Sequence, residues 1–286
     1  MGTVQSSVRR RWLAAALVTL RQKAGKTPDE AAQRIGCHRS KISRIENARL
    51  GMSLGELRDL LAFYEVDDPD YVDDLLGLAA RRREPDWLRR VIRIRPAYAD
   101  LVAYGEMAES IRSFEGLMIP GLLQTPEYAR ALIGAGPRPP AREEIDALVT
   151  ARLERQKILS MENPPQLAFV IGEAALRIAV GGAESMGRQL DHLMEMAQLP
   201  GIDLRVMPDN TGAHTGMFGP FVLFGFRTRV FSGSVVCLEY RAGTIYLERE
   251  DEVEIHMEEF EAIQSSALSP GSSLETIARV RQAQYC

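Results

Sequence analysis

The sequence has few cysteines and no long apolar run. Its three cysteines, Cys37, Cys237 and Cys286, are odd in number and far apart, which argues against a disulfide framework and favours a reducing compartment. No apolar run reaches the roughly 20 residues that a membrane span needs. No signal-peptide pattern precedes the first predicted helix. We therefore expect a cytoplasmic protein without a membrane segment.

Catalytic signatures are missing as well. The chain contains neither a Gly-x-Ser-x-Gly elbow nor a phosphate loop ending in Gly-Lys-Ser/Thr. His192, His214 and His256 have no partners at metal-ligand spacing, so each is predicted to be a surface or structural histidine. Cys237 lies inside an apolar strand pattern, where a buried, unreactive thiol is expected. The sequence predicts a protein that is not an enzyme and holds neither a metal nor a cofactor.

Charge is distributed unevenly along the chain. Residues 9–49 carry eleven Lys or Arg against three Asp or Glu, although the whole chain has a formal net charge of −4. The remainder is therefore net acidic, and this asymmetry favours a nucleic-acid-binding segment attached to an acidic body. Arg9–Arg11 is expected either to contact backbone phosphates as an N-terminal arm or to form a solvated tail.

A helix–turn–helix pattern begins at Thr27. Thr27 and Glu30 have the spacing of a capping box at the start of a short helix. Gly36 ends that helix, and Ile42 and Ile45 give the next helix an inward apolar face. Two helices joined in this way place the second one in the DNA major groove.

The outward face of that second helix, about residues 39–47, is basic and polar. Arg39 and Arg44 are predicted to contact base edges, with Ser40 and Ser43 assisting. Lys41 and the helix N-terminus at Thr27 are predicted to hold phosphates. The full set of predicted DNA contacts is Thr27, Arg39, Ser40, Lys41, Ser43, Arg44 and Arg49.

These residues, and Ser40-Lys-Ile-Ser-Arg-Ile-Glu46 above all, resemble the Xre family of repressor-type helix-turn-helix proteins over residues 9–66. The resemblance implies a transcriptional regulator that binds a double-stranded DNA operator as a homodimer on paired half-sites. Two positions depart from the family pattern. Ala48 stands where Gly is usual, so either Ala48 carries a costly positive φ or Asn47 takes that role. His38 replaces the usual Ser or Thr cap, and is either a phosphate contact or a poor cap.

Helix and strand signals divide the chain. Five short helices are expected in a head at 1–83, a linker at 84–96 and a regulatory or dimerisation domain at 97–286. The charge run at Arg81–Arg83 before Pro85 suggested the linker. The last domain mixes helices with strands, including a hairpin with its turn at 241–243. It is predicted to be α/β or α+β with a modest sheet.

Three motifs of the body occur in a fixed order: Ile119-Pro-Gly-Leu-Leu-Gln-Thr-Pro-Glu-Tyr-Ala-Arg130, Arg152-Leu-Glu-Arg-Gln156 and Ile171-Gly-Glu-Ala-Ala-Leu-Arg177. With Gln189–Leu193, they resemble the C-terminal domain of actinobacterial Xre-type regulators described as toxin–antitoxin-system antitoxin-like, over about residues 95–282. That resemblance implies a regulator often encoded beside a small partner protein, and it implies no known ligand or reaction.

Two groups of body residues have two interpretations each. Glu173, Arg177, His214, Glu239 and Tyr240 are either a polar rim of an effector pocket at the carboxyl end of the sheet or ordinary surface groups such as an i, i+4 ion pair. Pro120–Tyr128 is either a partner surface or a buried joint between strand and helix.

The preferred interpretation is a DNA-binding transcriptional regulator whose body dimerises and binds an effector or a partner. The first alternative is an antitoxin-like protein that mainly binds a small neighbour-encoded protein and uses DNA binding for autoregulation. The second is an enzyme tethered to DNA, which lacks a catalytic constellation in the sequence.

Overall fold

A computed structural model of the chain describes residues 7–80, 85–95, 97–240 and 243–285. The chain divides into two compact units. The first contains the N-terminal residues to Glu84 together with Arg227–Gly233, and the second contains the remainder. The charge run at Arg81–Arg83, which indicated a linker, lies outside the described residues.

The first unit has the five helices expected from the sequence. They are α1 (Val8–Lys23), α2 (Pro28–Arg34), α3 (Arg39–Glu46), α4 (Leu54–Phe63) and α5 (Pro69–Ala79). Complete capping boxes begin α2 and α4, where Thr27 pairs with Glu30 and Ser53 with Glu56. Each box satisfies backbone N–H groups that the first turn of a helix leaves without intrahelical partners.

The core of this unit is made of aliphatic side chains that recur at helical spacing. Leu17, Ile42, Leu57, Leu60 and Leu75 are each at most 1% exposed. Burying one such side chain contributes about 1.5–3 kcal/mol. Small side chains let two helices approach each other closely. Ala31 and Ala32 of α2 are such residues, and both are buried in this core.

Four helices of the first unit end in the same way, with one residue at positive φ. After α2, Gly36 has φ 64°, and the Cys37 N–H donates to the Ala32 carbonyl at 2.9 Å. This is a Schellman motif, which normally has Gly at the left-handed position. Gly25 takes the position after α1, whereas Ala48 after α3 (φ 56°) and Glu65 after α4 (φ 59°) are not glycines.

Residues 227–233 belong to the first unit. The rings of Trp12 and Phe231 stack with centroids 4.4 Å apart. The Arg229 guanidinium pairs with the Asp68 carboxylate and lies 2.9 Å from that of Asp70. The prediction that these residues belong to the C-terminal domain is therefore wrong, because contacts this distant in sequence leave no local pattern.

The second unit alternates helices and strands. Its helices are α6 (Asp86–Ile94), α7 (Tyr98–Met107), α8 (Pro126–Gly134), α9 (Arg142–Gln156), α10 (Glu173–Arg177), α11 (Ala183–Met196), α12 (Glu250–Ser266) and α13 (Pro270–Gln284). The strands are β1 (Ser110–Glu115), β2 (Gln166–Gly172), β3 (Ile202–Met207), β4 (Phe221–Arg227), β5 (Ser232–Tyr240) and β6 (Gly243–Leu247).

Helix α6 corrects the prediction of a linker at 84–96. Its Leu88 and Val91 are 8% and 0% exposed and stand three residues apart, so they share a buried helix face. The intervening Arg89 and Arg90 are exposed, so the segment after Pro85 is an amphipathic helix.

The six strands form one mixed sheet in the order β3-β2-β1-β4-β5-β6. Strands β1, β2 and β3 are parallel, as helical crossovers between them require. Strand β4 is antiparallel to β1, and β6 is antiparallel to β5. The predicted turn at 241–242 lies outside the described residues. The mixed sheet confirms the predicted α/β or α+β class. Its parallel strands are joined by helical crossovers, and its antiparallel strands pair as in hairpins.

One face of the sheet packs against α12. Phe114, Val170, Leu223 and Val236 form an apolar cluster with Phe260 and other side chains of that helix. Because strand side chains alternate between faces, Glu115, Cys237 and Glu239 point to the opposite side. That side carries the polar groups described below.

Candidate nucleic-acid interface

Helix α3 presents most of the predicted DNA contacts to solvent. Arg39, Ser40, Ser43 and Arg44 are exposed, and so is Arg49, three residues beyond the helix. The Arg39 guanidinium lies 3.6 Å from the Asp29 carboxylate, with both side chains about two-thirds exposed (68% and 66%). Such an exposed pair is worth less than about 1 kcal/mol, so it does not prevent Arg39 from reaching DNA.

The opposite side of α3 is anchored in the core. Ile42 and Ile45 are 1% and 3% exposed, as the i, i+3 spacing predicted. The Glu46 carboxylate receives hydrogen bonds from Arg21 Nε at 2.6 Å and Nη2 at 3.1 Å. Apolar packing and a bidentate ion pair therefore hold the helix that carries the exposed arginines.

Two predicted phosphate contacts are already engaged within the protein. Lys41 pairs with Glu56, and that ion pair, aided by the Ser53 N–H, lowers the pKa of the Glu56 carboxyl. The Thr27 backbone N–H and hydroxyl both donate to Glu30 Oε2 at 2.8 Å. Both Thr27 donors are thus used within the protein, whereas the partly exposed Lys41 ammonium keeps N–H donors beyond the one bonded to Glu56.

The two departures from the family pattern have clear structural outcomes. Ala48 takes the left-handed conformation itself, since Asn47 has φ −93°. The Asn47 amide donates instead to the Ser43 carbonyl at 2.7 Å. His38 occupies the N-cap of α3 without a side-chain capping bond. Within the protein it is thus the poor cap that the sequence allowed for.

Arg9–Arg11 form the first turns of α1. The interpretation as a disordered tail is therefore wrong, whereas the contact of these arginines with backbone phosphates stays a prediction. The apolar residues that follow at helical spacing, including Leu13 and Leu17, extend the helix back through the arginines.

The candidate effector residues of the body are divided between distant parts of the sheet edge. Glu173 and Arg177 form the predicted i, i+4 ion pair. Asp209 joins them, with its N–H 3.3 Å from Glu173 Oε2 and its carboxylate 3.9 Å from Arg177. They line an open groove of about 770 Å³ at the carboxyl ends of β2 and β3.

The other three candidates lie elsewhere. The His214 ring contacts Phe114 edge-on, with centroids 6.0 Å apart. Glu239 and Tyr240 end β5, which is three strands from β2 in the sheet order, roughly 14 Å across the sheet. Glu239 and Tyr240 are therefore separated from the pair of Glu173 and Arg177. The sequence indicated that strands end at these residues, but it did not give the order of the strands in the sheet.

Three of the sequence motifs that carry the resemblance of the body, 119–130, 152–156 and 189–193, meet around the turn 120–125. Gln189 receives the Thr125 N–H and donates to the Leu123 carbonyl, both at 2.7 Å. Gln156 donates to the Gln124 carbonyl at 2.7 Å, and Arg152 donates to the Gln124 side chain. Leu122, Leu123 and Tyr128 are at most 5% exposed, which confirms the buried interpretation of Pro120–Tyr128.

A polar cluster was not recognised in the sequence. Burial raises the pKa of the Glu115 carboxyl to about 8, and nearby Glu239 adds to the effect. Glu115 Oε2 has no hydrogen-bond partner among the described residues. Cys237 is buried as predicted, and burial raises the pKa of its thiol. The alternation of side chains along each strand could have indicated this cluster, since it places Glu115 and Cys237 on a buried face of the sheet.

Two further features are absent from the described part of the chain. No group of three or more His, Cys, Asp or Glu side chains there is arranged to hold a metal ion. No helix in that part has both the length and the apolar character for a bilayer crossing.

The compact five-helix head with its exposed basic helix defines a helix-turn-helix protein of the DNA-binding regulator class. A helix-turn-helix family model matches residues 12–75, in agreement with the Xre-like expectation. Residues 98–279 match the family described as a domain of unknown function (DUF5753), and the chain belongs to that family. No curated protein and no solved structure matches the chain significantly.

Proposed function

We propose that this protein is a sequence-specific, cytoplasmic transcriptional regulator that reads an operator through α3 and acts as a homodimer. The observation that carries the proposal is the combination of exposed Arg39 and Arg44 with a firmly anchored opposite face. Arginine reads guanine edges in the major groove through paired N–H donors. Ser40, Ser43 and Arg49 are the proposed additional contacts, and Lys41 joins them through ammonium N–H donors that Glu56 does not use.

Anchoring matters because base readout needs a defined geometry. Side chains on a loosely held helix would lose much of their binding energy to ordering. The Arg21–Glu46 pair and buried Ile42 and Ile45 restrict α3 before DNA arrives. The net acidic remainder of the chain favours contact through the basic head.

In vitro selection with the full-length protein should yield an operator with paired half-sites, one DNA turn or about 34 Å apart. Arg44→Ala should weaken binding to it by about 5- to 150-fold, or about 1–3 kcal/mol, and relax base preference at one position of each half-site. Arg188→Ala removes an exposed helical arginine of the second unit and should leave affinity unchanged. Unchanged binding by the Arg39→Ala, Arg44→Ala double variant would refute the role of α3.

The second candidate function, binding of a small neighbour-encoded protein as an antitoxin does, is favoured by an exposed apolar patch. Leu117, Met217 and Phe218 are 65%, 71% and 91% exposed. They adjoin the paired ends of β1 and β4, where Phe114 is opposite Phe221. Exposed apolar groups gathered in this way are typical of protein–protein contacts.

Purification of the tagged chain from its native operon separates these functions. Recovery of a stoichiometric small protein that is lost on Phe218→Ser supports the antitoxin-like function. Recovery of a homodimer alone, with operator binding retained, supports the regulator proposal. The control Ile255→Ser removes another exposed apolar side chain, 55% exposed on α12, and should change neither result.

A further inference from the structure

A cavity of about 400 Å³ lies in the second unit between α6, α7, α9 and β1. Its walls are mainly apolar and include Trp87, Val102, Ile111, Ile158 and Met161, and Arg155 of α9 also lines it. We call it the α9 cavity. Its volume falls within the range of small-molecule sites, which are usually apolar with a few polar groups.

Arg155 is the unusual member of this lining. It is half-buried, and its guanidinium carbon lies 5.6 Å from the centroid of the Tyr98 ring. Against the opposing effect of burial, Tyr98 and the Glu239 carboxylate raise the pKa of Arg155, although no described carboxylate is in direct ion-pair contact with it. A guanidinium that stacks on an aromatic ring keeps its N–H edge available for bidentate hydrogen bonds. A ligand carboxylate at this position would add the direct, charge-assisted pair of hydrogen bonds that Glu239 does not supply.

The surroundings restrict the charge of such a ligand. Glu106 and Glu154 also line the cavity, and Glu154 is paired with Lys157 at 2.8 Å. Their carboxylates disfavour a multiply charged group such as a phosphate because like charges repel in a partly enclosed site. A single carboxylate with an apolar remainder satisfies both Arg155 and the walls.

We propose that the α9 cavity binds a small amphipathic monocarboxylate, whose carboxylate pairs with Arg155 and whose hydrocarbon portion contacts Trp87, Ile111 and Ile158. This inference rests on the proposed function, because such an acid would be the effector of the regulator. It differs from the predicted effector site at Glu173 and Arg177, which lies in the groove at the ends of β2 and β3.

Trp87 supplies a direct readout of occupancy. The chain has two tryptophans, so the full-length Trp12→Phe protein reports on Trp87 alone. Titration with octanoate or 4-phenylbutanoate, up to about 10 mM, should shift or quench its emission with saturation. Octan-1-ol should bind at least about tenfold more weakly than octanoate, because it lacks the group that pairs with Arg155.

Two variants test the geometry. Arg155→Gln should weaken octanoate binding by at least about tenfold, while Arg188→Gln, an exposed arginine elsewhere in the unit, should not. Gly105→Leu keeps Arg155 but fills the cavity: Gly105 lines it on α7, and a Cβ there would have no heavy atom within 4 Å. This variant should fold and lose binding. It keeps the proposal testable if Arg155→Gln is unstable.

The proposal is overturned if neither acid produces saturable binding, if octan-1-ol binds as tightly as octanoate, or if Gly105→Leu binds as the parent does. Measuring operator binding by the parent and by Gly105→Leu separates failure of this proposal from failure of the proposed function. If the parent binds no acid and both proteins bind the operator with the same affinity, only the assignment of the ligand is wrong. Loss of operator selection by the parent itself would remove the regulator.

Discussion

Arg21 of α1 binds both carboxylate oxygens of Glu46 at the end of α3, and each side chain is only 12% exposed. Arg21 also donates to the Lys26 carbonyl at 3.0 Å. The pair therefore joins the helix that carries the proposed base contacts to the first helix of the head. Removing one member leaves the other charge enclosed, which is costly because the lost hydration is not restored.

Arg21→Met should therefore lower the free energy of unfolding of the head by about 3 kcal/mol. Urea denaturation of the full chain in a Trp87→Phe background follows the head through Trp12. The Arg21→Met, Glu46→Leu double variant should lose less than the two single variants combined, since no unpaired charge remains. Additive losses would contradict a coupled pair. Arg39→Ala, from an exposed pair of the head, should change this stability by less than about 0.5 kcal/mol.

Ala48 and Glu65 hold the left-handed position that Gly25 and Gly36 hold in the other two Schellman motifs of the head. Because a Cβ is disfavoured at positive φ, Ala48→Gly and Glu65→Gly should each stabilise the head by about 1 kcal/mol. The converse Gly36→Ala should destabilise it by a similar amount. The same urea experiment measures all three, and a loss of stability in both glycine variants would show that side-chain packing outweighs backbone strain.

The head was predictable from the sequence because its determinants are local. The capping box at Thr27, the turn at Gly36 and the apolar spacing of Ile42 and Ile45 are each set within a few residues. The engagement of Lys41 by Glu56 was missed, since fifteen residues separate the two side chains. Exposure in a helical pattern predicts where a side chain points and not which neighbour it meets.

The body was predictable in composition but not in arrangement. Strands and helices were recognised from their patterns, whereas the order β3-β2-β1-β4-β5-β6 depends on pairings across more than a hundred residues. Without that order, Glu173 and Glu239 were grouped although three strand positions separate them. The roles of Gln156 and Gln189 were equally hidden, because their partners are backbone groups of the distant turn 120–125.

Gln189 is completely buried and satisfies one donor and one acceptor of the turn 120–125. Gln189→Leu keeps a similar volume but leaves the Thr125 N–H and the Leu123 carbonyl unpaired. It should reduce the free energy of unfolding of the second unit by about 2–4 kcal/mol. Trp87 emission in the Trp12→Phe protein reports the transition. Gln198→Leu, whose amide is exposed, should have an effect below about 0.5 kcal/mol, and equal effects would argue against the buried bonds as the cause.

Glu115 should make the second unit less stable as the pH rises. Burial raises the pKa of its carboxyl from an ordinary 4.5 to about 8, so the folded protein keeps a proton that the unfolded chain releases. The resulting stabilisation is fully present below pH 4.5 and is lost as the pH rises through about 8. Glu115→Gln mimics the protonated carboxyl, so its stability should match the parent near pH 4.5 and exceed it near about pH 9. Urea midpoints across this range test the prediction, with Glu254→Gln on the exposed side of α12 as the control. A difference between parent and Glu115→Gln that does not grow with pH would show that Glu115 is already ionised in the folded protein.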